Sequence, residues 1–369
     1  QALLEIASGQ AGIVIGTHAL LEDKVTFADL GLVVIDEQHR FGVEQRAALA
    51  AKAEAGTRPH VLVMTATPIP RTVAITVFGD LDVSVLTELP AGRAPITTHV
   101  VPAIEKPGYL ERTWQRVREE VEKGRQVYVV CPRISSAGQT AVDLDGLESV
   151  LDLANADGPA APMANVEDVM EELAGGQLAG LRIGALHGRM SAEDKDAAMR
   201  RFAAGPMAGD GLDVLVSTTV IEVGVDIPNA SVMVVMDADR FGVSQLHQLR
   251  GRVGRGGLPG LCLLVTNAQA GSPARERLDA VAATTDGFEL SKVDLMARRE
   301  GDVLGSDQSG RSNSLRVLSL LRDEKIIIAA RDEAERIVAA DPLLADHPAL
   351  ATMAATITGP DAAEWLDRS

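Results

Sequence analysis

The stretch Gln248-Leu-Arg-Gly-Arg-Val-Gly-Arg255 decides the fold when it is taken together with Val34-Ile-Asp-Glu-Gln-His39, far upstream in the chain. The upstream stretch predicts a strand with two carboxylates at its tip, and Mg²⁺ prefers carboxylates combined with substrate phosphates. The downstream stretch predicts a helix end rich in arginine, whose planar guanidinium group matches phosphate oxygens. Together the two stretches predict a nucleotide site built between two α/β lobes.

The composition excludes some classes of protein and leaves others open. The 369 residues predict two or three domains, and 46% hydrophobic residues suffice for their cores. A formal charge of −17 argues against a uniformly basic nucleic-acid binder, although local basic patches can still bind phosphates. Cys131 and Cys262 lie in apolar runs and are predicted to be buried, reduced thiols. No apolar run predicts a membrane span. The N-terminus has no signal-peptide pattern. Because the chain opens at Gln1 rather than at a methionine, we expect it to be a piece of a longer chain.

Short apolar runs that end in a polar residue recur along the chain. Because helical patterns separate them, they predict parallel sheets with helices on both faces. The predicted strands are Ile13–Thr17, Leu32–Asp36, Val61–Thr65, Val127–Cys131, Arg182–Leu186, Asp213–Ser217, Val232–Met236 and Leu261–Val265. The predicted helices include residues 109–123, 192–204, 244–251 and 321–340. Ligands of such sheets lie beyond the carboxyl ends of the strands, where Thr17, Asp36 and Thr65 are expected.

The domain prediction has three regions. Residues 1–92 form part of a first α/β lobe, residues 93–268 form a second lobe, and residues 269–369 form a mainly helical region. The turn-rich stretch Leu89-Pro-Ala-Gly-Arg-Ala-Pro95 is a candidate hinge. Residues 138–165 have little periodicity, and we interpret them as a mobile surface insertion rather than a site.

Two candidate motifs lie in the first lobe, and each has a structural alternative. Asp36 and Glu37 suit a magnesium ligand and a base that orients the attacking water, or they are a solvated loop start. Thr65-Ala-Thr-Pro-Ile-Pro-Arg71 suits contact with phosphate, or it is a structural turn with two prolines. We expect His39 to relay contacts between Glu37 and the loop of Arg71.

Two further motifs lie in the second lobe. Ser217-Thr-Thr-Val-Ile-Glu-Val-Gly-Val-Asp-Ile-Pro228 places hydroxyl groups at a predicted helix start, where they bind phosphate or merely cap the helix. In the segment from Gln248 to Arg255, an arginine can neutralise charge that develops on a γ-phosphate, and glycines allow close backbone approach. The alternative for this segment is a solvated basic helix end. The candidate cations there are Arg250, Arg252 and Arg255.

In combination these motifs resemble those of superfamily 2 helicases, and most closely those of the RecG family of bacterial DNA helicases. The resemblance to helicase motifs II, III, V and VI is carried, in that order, by Asp36–His39, Thr65–Thr67, Ser217–Asp226 and Gln248–Arg255. The stretches that resemble RecG in particular are Val34–Arg46, Thr65–Thr72, Gly79–Ser84, Leu186–Met190, Asp239–Gln248 and Asp294–Gly310. The last of these resembles the translocation motif that RecG shares with the transcription-repair coupling factor, while the Asp-Glu-Gln-His box favours RecG.

The resemblance implies an α/β fold with two RecA-like lobes, the first incomplete, followed by a mainly helical region. It implies an enzyme that uses ATP and Mg²⁺ to move on branched double-stranded DNA, reversing stalled forks and migrating Holliday junctions in repair and recombination. By the same resemblance, Asp36 binds magnesium and Glu37 activates water within a box completed by Gln38 and His39. Arg252 and Arg255 are arginine-finger candidates, and Gln248, Gly224 and Asp226 contact the nucleotide. The resemblance assigns contacts with DNA phosphates to Thr17, Thr218 and Thr219. It assigns the coupling of the sites to Thr65, Thr67 and Arg71. The translocation element consists of Arg298, Gly301, Gly305 and Gln308.

The sequence departs from the family pattern in two respects. It contains neither the N-terminal wedge domain of RecG proteins nor a G-x-x-x-x-G-K-[ST] phosphate loop, whose lysine and amides hold the β- and γ-phosphates. We therefore expect the chain alone to bind ATP poorly and not to unwind DNA, with unpaired strand edges that favour aggregation. We expect the intact protein to be a monomer in the bacterial cytoplasm, associated with the nucleoid. The alternatives are the motor of a transcription-repair coupling factor and a non-catalytic fragment that binds duplex DNA.

Overall fold

The computed structural model describes residues 1–22, 24–36, 59–65, 84–86, 94–134, 163–222, 226–297 and 323–355. The chain divides into two compact units, one formed by residues 1–68 with 90–287 and the other by residues 69–89 with 288–369. The first unit begins with helix α1, Ala2–Ala7, and holds a two-stranded parallel sheet of β1, Leu32–Ile35, and β2, His60–Val63. No helix in the described ranges is long and apolar enough to span a membrane.

A six-stranded parallel sheet is the main element of the first unit. Its strands are β3 Ile96–Pro102, β4 Gln126–Val130, β5 Ile183–Leu186, β6 Val214–Ser217, β7 Ala230–Val235 and β8 Gly260–Thr266. They lie in the order β3-β8-β7-β4-β6-β5. β4, β6 and β7 are buried along their whole length, as expected for Val-rich strands that helices cover on both faces. The sequence-based prediction of five strands between residues 127 and 265 is therefore confirmed.

Two of the strand assignments differ from the sequence prediction. Residues 13–17 form no strand, and Ile13 and Ile15 are 87% and 93% exposed, because no described neighbouring strand pairs with this extended run. β3 was not predicted, yet it pairs with β8 along seven residues. Its sequence, Ile-Thr-Thr-His-Val-Val-Pro, follows a turn-rich stretch and belongs to the edge of the sheet, where only part of the strand needs to be apolar.

Helices occur in both units, and those between residues 107 and 283 belong to the unit of the six-stranded sheet. The helices after α1 are α2 Pro107–Glu122, α3 Val166–Gly175, α4 Ala192–Ala204, α5 Val243–Arg250, α6 Pro273–Ala283, α7 Gly287–Ala297 and α8 Glu324–Ala340. α4 occupies the predicted range because the Ser191 hydroxyl accepts a bond from the Asp194 N–H at its start and Gly205, with φ of +78°, ends it. α8 ends at Ala340, the last residue of the predicted range 321–340, and Asp341 is its C-cap.

The core is layered on the two faces of the sheet. On the face that α2 and α3 cover, Trp114, Val169 and Leu173 pack against alternate valines of β4, β6 and β7. On the other face the rings of Tyr128 and Phe202 meet with centroids 5.0 Å apart. Cys131 and Cys262 are buried free thiols, as predicted, and burial raises the pKa of both.

The insertion predicted at residues 138–165 ends earlier, at its C-terminal side, than the sequence indicated. Most of it lies outside the described residues, but its last residues are anchored. Asn165 pairs with Arg133 in an isolated parallel bridge and caps α3, and the Ala164 N–H donates a bond of 2.7 Å to Asp237. The insertion therefore ends by residue 163, because a buried cap cannot belong to a mobile loop.

A buried carboxylate joins α2 to the amino-terminal edge of the sheet. Glu120 accepts hydrogen bonds from Arg125 at 2.6 Å, Lys123 at 2.8 Å and Ser231 of β7 at 3.1 Å, and Arg116 lies 3.0 Å away. Burial alone would raise the pKa of Glu120, but these donors outweigh burial and lower the pKa to about 2.

We expect Glu120→Gln to lower the free energy of unfolding at pH 7 by about 3 kcal/mol, since a shift of one pKa unit corresponds to about 1.4 kcal/mol. The folded-state pKa lies below the unfolded value, so this stabilisation is present above about pH 5 and is lost as the pH falls towards about 2. Urea unfolding at pH 7, 4 and 3 measures it. Glu111→Gln, an exposed change on the same helix, should leave stability unchanged. An acid dependence of Glu120→Gln as steep as that of the unsubstituted chain would refute this assignment.

Candidate functional site

The arginine-rich segment turns sharply after α5. Gly254 has a φ of +77°, and a Cβ atom there would lie 3.0 Å from Ile96 Cγ1. The Ala94 N–H donates to the Gly254 carbonyl at 3.3 Å, and a Cβ atom at Gly256 would lie 2.3 Å from the Pro228 carbonyl oxygen. The close backbone approach predicted for this segment is therefore present, and it fixes the turn between the start of β3 and Pro228, in the loop before β7.

Arg255 and Asp226, two predicted site residues, meet at this turn. Their closest side-chain atoms, Arg255 Nη1 and Asp226 Oδ1, are 3.5 Å apart, and the Arg255 Nε–H donates to the Gly251 carbonyl at 3.0 Å. The Arg255 side chain is 32% exposed and that of Asp226 is 66% exposed. An ion pair this open to water contributes little stability, so the guanidinium group is oriented but not locked.

Arg252 lies near the same point as Arg255. Burial raises the pKa of Tyr128, on β4 beneath the turn, far above its usual value, while the positive charges of Arg252 and Arg255 oppose the rise and that of Asp226 adds to it. The three charged groups therefore act on one buried hydroxyl. The structure brings Arg255 and Asp226 into contact, Arg252 is half-buried three residues before Arg255, and Gln248 is half-buried on α5.

Arg250 has a different role from the one its spacing indicated. Its side chain is buried, and Nη1 donates to the carbonyls of Val281 at 2.8 Å and Thr284 at 2.7 Å, at the end of α6. Nη2 lies 2.7 Å from His247 Nδ1. The interpretation of Arg250 as a cation for phosphate is therefore wrong. It is a positioning residue that fixes the start of the arginine turn, residues 251–255, to the end of α6.

The hydroxyl residues after β6 are less accessible than predicted. Ser217 is fully buried and Thr218 is 7% exposed, and the Thr218 N–H donates to the Leu186 carbonyl of β5 at 3.3 Å. A short 3₁₀ turn, Thr219–Glu222, follows in place of the predicted helix. Only Thr219, which is half-buried, reaches the surface in this arrangement.

The first-lobe candidates share one edge of the small sheet. Parallel pairing of Ile35 with Val63 places Asp36 and Thr65 just beyond neighbouring strand ends, where the Met64 N–H donates to the Ile35 carbonyl. Asp36 is exposed and Thr65 is half-buried. Thr17 is exposed and caps a 3₁₀ turn, His18–Leu21, by accepting from the Ala19 N–H at 3.4 Å. The remaining candidates lie outside the described residues: Glu37, Gln38, His39, Thr67, Arg71, Gly224, Arg298, Gly301, Gly305 and Gln308.

Two aspartates outside the predicted site residues, Asp237 and Asp239, fix the chain between β7 and α5. Asp237, with a left-handed φ of 45°, accepts the bond from Ala164, and burial raises its pKa. Asp239 accepts from the Thr266 hydroxyl at the end of β8, and Arg277 of α6 donates to the Asp239 carbonyl at 2.6 Å. Their partners are far away in sequence, so no local spacing signalled them.

Three family models match successive parts of the chain. They are the DEAD/DEAH box helicase model over residues 1–75, the helicase conserved C-terminal domain over residues 110–257, and the model for ATP-dependent DNA helicase RecG, domain 3, C-terminal, over residues 284–356. Their order follows the order of the predicted regions.

Comparisons along the whole chain find bacterial relatives that are named ATP-dependent DNA helicase RecG. The chain is 56% identical over 372 residues to the ATP-dependent DNA helicase RecG of Mycobacterium bovis, a match that covers 100% of this chain and 47% of that protein. For the RecG of Mycobacterium leprae, identity is 54% over 366 residues, with coverage of 99% and 47%. A solved structure of RecG bound to a three-way DNA junction matches with a TM-score of 0.57 and 39% identity over 88% of this chain and 37% of that one. The chain thus spans about half the length of the curated relatives it matches.

We expect the two arginines at either end of the turn to differ in their effect on stability. Arg250→Met removes buried hydrogen bonds and leaves carbonyls unpaired, which should cost about 2–4 kcal/mol. Arg255→Ala removes an exposed ion pair and should cost less than about 1 kcal/mol. Urea unfolding of the two variants compares them. Equal losses would contradict the division between a positioning and an exposed arginine.

Proposed function

The chain belongs to the RecG family of ATP-dependent DNA helicases, and from this premise we propose that it provides the arginine-finger lobe of a motor that remodels branched DNA. The observation that carries the proposal is the contact of Arg255 with Asp226 at a turn that also holds Arg252, in a chain that matches RecG relatives along its whole length. ATP hydrolysis, fork reversal and Holliday-junction migration are proposed for the whole protein, of which this chain is about half.

Arg255 is suited to change partners during a nucleotide cycle. Its Nε–H is held by the Gly251 carbonyl, which orients the side chain, while its contact with Asp226 is long and open to water. A γ-phosphate carries more charge than one exposed carboxylate and accepts two guanidinium hydrogen bonds at once, so it competes well for this arginine. We propose that Arg255, with Arg252 beside it, neutralises charge that develops on the transferred phosphate. Asp226 and Gln248 would then contact the nucleotide.

The first-lobe residues fit a magnesium ion. Asp36 and Thr65 supply hard oxygen atoms at adjacent strand ends, and Mg²⁺ is typically bound by one or two such groups together with water and phosphate oxygens. When bound, the ion would neutralise phosphate charge. We propose that Asp36 holds it and that Glu37, beside Asp36 in sequence, orients the attacking water.

The DNA contacts are proposed from the position of three threonines. Thr219 reaches the surface after β6, Thr218 lies just beneath it, and Thr17 is exposed in the first part of the chain. Hydroxyl groups and backbone amides at such positions bind phosphates without reading sequence. The relative that was solved with a three-way DNA junction supports branched DNA as the substrate. Arg298, Gly301, Gly305 and Gln308 are proposed as the translocation element, with Thr65, Thr67 and Arg71 coupling it to ATP.

The test is ATP turnover by a chimera in which this chain replaces the matching 47% of the Mycobacterium bovis RecG. We expect turnover stimulated by a three-way junction, and Arg255→Ala should lower kcat by about a thousandfold or more while junction binding persists. Arg200→Ala, an exposed change on α4, is the matched control and should leave kcat unchanged. A junction-stimulated kcat that survives Arg255→Ala would refute the arginine-finger assignment.

A second measurement separates DNA contact from catalysis. Thr219→Val in the chimera should weaken binding of the three-way junction and reduce its stimulation, with basal turnover unchanged, while Thr219→Ser should retain both because the hydroxyl remains. Equal behaviour of the two variants would exclude a hydroxyl contact. The chain alone, assayed beside the chimera, decides whether it is inactive by itself. Salt-sensitive junction binding without any turnover in the chimera would favour a non-catalytic DNA-binding role.

A further inference from the structure

Helix α3 carries one buried apolar stripe and, beside it, a mixed stripe of acidic and apolar residues. Val166, Val169 and Leu173 are buried against the six-stranded sheet. The neighbouring stripe consists of Glu167, Met170, Glu171 and Ala174, in which the glutamates and the alanine are exposed and the methionine is half-buried. Its spacing, i, i+3, i+4 and i+7, is the one by which a helix packs against another helix.

The outer stripe forms one wall of a groove. Leu181 and Ile183, beside and within β5, form the other wall of this open groove of about 530 Å³, and together with Met170 their inner sides pack against the core. β5 is the edge strand of the sheet, and within the described part of the chain it pairs with β6 alone. Met170, Ala174 and Ile183 give an apolar lining in which a small residue permits close approach and a methionine adapts its shape.

The groove also carries negative charge. Glu167 and Glu171 are one turn apart on α3, an arrangement of like charges that destabilises a helix. Among the described residues neither of them forms an ion pair, whereas Arg182, beside Ile183, is engaged by Asp213 at 2.9 Å. A ligand with apolar side chains flanked by positive charges would fill the lining and relieve the repulsion.

We propose that this groove, formed by Glu167, Met170, Glu171, Ala174, Leu181 and Ile183, is a docking site for a basic amphipathic helix of a partner protein. The occupant lays an apolar i, i+3, i+4, i+7 stripe along Met170 and Ala174 and sets lysine or arginine side chains beside the two glutamates. The site is separate from the arginine turn and does not depend on the proposed motor activity.

The test uses a synthetic helical peptide of about four turns, made of lysine and leucine with the leucines at that spacing, titrated into the full chain by fluorescence anisotropy. Glu167→Lys/Glu171→Lys should weaken binding about tenfold or more. Glu111→Lys/Glu122→Lys, which reverses two exposed charges on α2, makes the same change in net charge and should weaken binding less than about threefold. A peptide with serine in place of leucine should bind weakly to every variant.

Ala174→Gln keeps the charge unchanged and fills the groove, so it should weaken binding about fivefold or more in a chain whose circular dichroism is unaltered. Equal losses for the two charge-reversal pairs, or tight binding of the serine peptide, would show non-specific attraction and overturn the proposal. So would the absence of binding to the unsubstituted chain. Sedimentation equilibrium of the unsubstituted chain is the last check, and a dimer dissolved by Glu167→Lys/Glu171→Lys would identify a second copy as the occupant and exclude the partner helix.

Discussion

Parallel pairing of β4 with β6 on one side and β7 on the other is the constraint on which the second lobe depends. Parallel strands end at a common edge, so the residues after each of them converge although they are distant in sequence. This edge contains Cys131 after β4, Thr218 after β6 and Asp237 after β7. The arginine turn follows β7 in the chain, after α5. The pairing is stabilised because apolar side chains cover both faces of β4, β6 and β7 and exclude water from the backbone bonds, with valines on one face and Tyr128, Leu215 and Met233 on the other.

Desolvation explains why neighbouring arginines of one segment differ in role. Arg250 is buried, and a buried guanidinium must have acceptors, which the last carbonyls of α6 provide. That end of α6 needs donors for the same reason, so each side satisfies the other. Arg255 lies five residues later on a glycine-rich turn, where water screens its contact with Asp226. The first arginine therefore fixes the backbone, and the second keeps a charge available for a ligand. This division links the local packing of α5 on α6 to the proposed chemistry.

The same logic of satisfied and unsatisfied groups distinguishes the two faces of α3. Its inner stripe is paired with the sheet, and its first turn is fixed because Asn165 caps the Asp168 N–H and Asp237 holds the Ala164 N–H. Its outer stripe has two exposed glutamates that form no ion pair among the described residues and a methionine that is only half-buried. A rigid helix with one unsatisfied face is a surface that presents a fixed pattern to a partner.

The sequence alone determined the α/β class, five strands of the second lobe, the extent of α4 and the identity of the motifs, because these follow from apolar periodicity, caps and residue spacing. It failed for residues 13–17 and for β3, since pairing with a distant strand decides whether an extended run becomes a strand. Only the tertiary structure distinguished Arg250 from Arg252 and Arg255, showed that Ser217 is buried, and showed that the insertion ends by residue 163. Each of these depends on groups far away in sequence, Val281, Leu186 and Asp237 among them, and burial and hydrogen-bond partners at such distances leave no trace in local spacing.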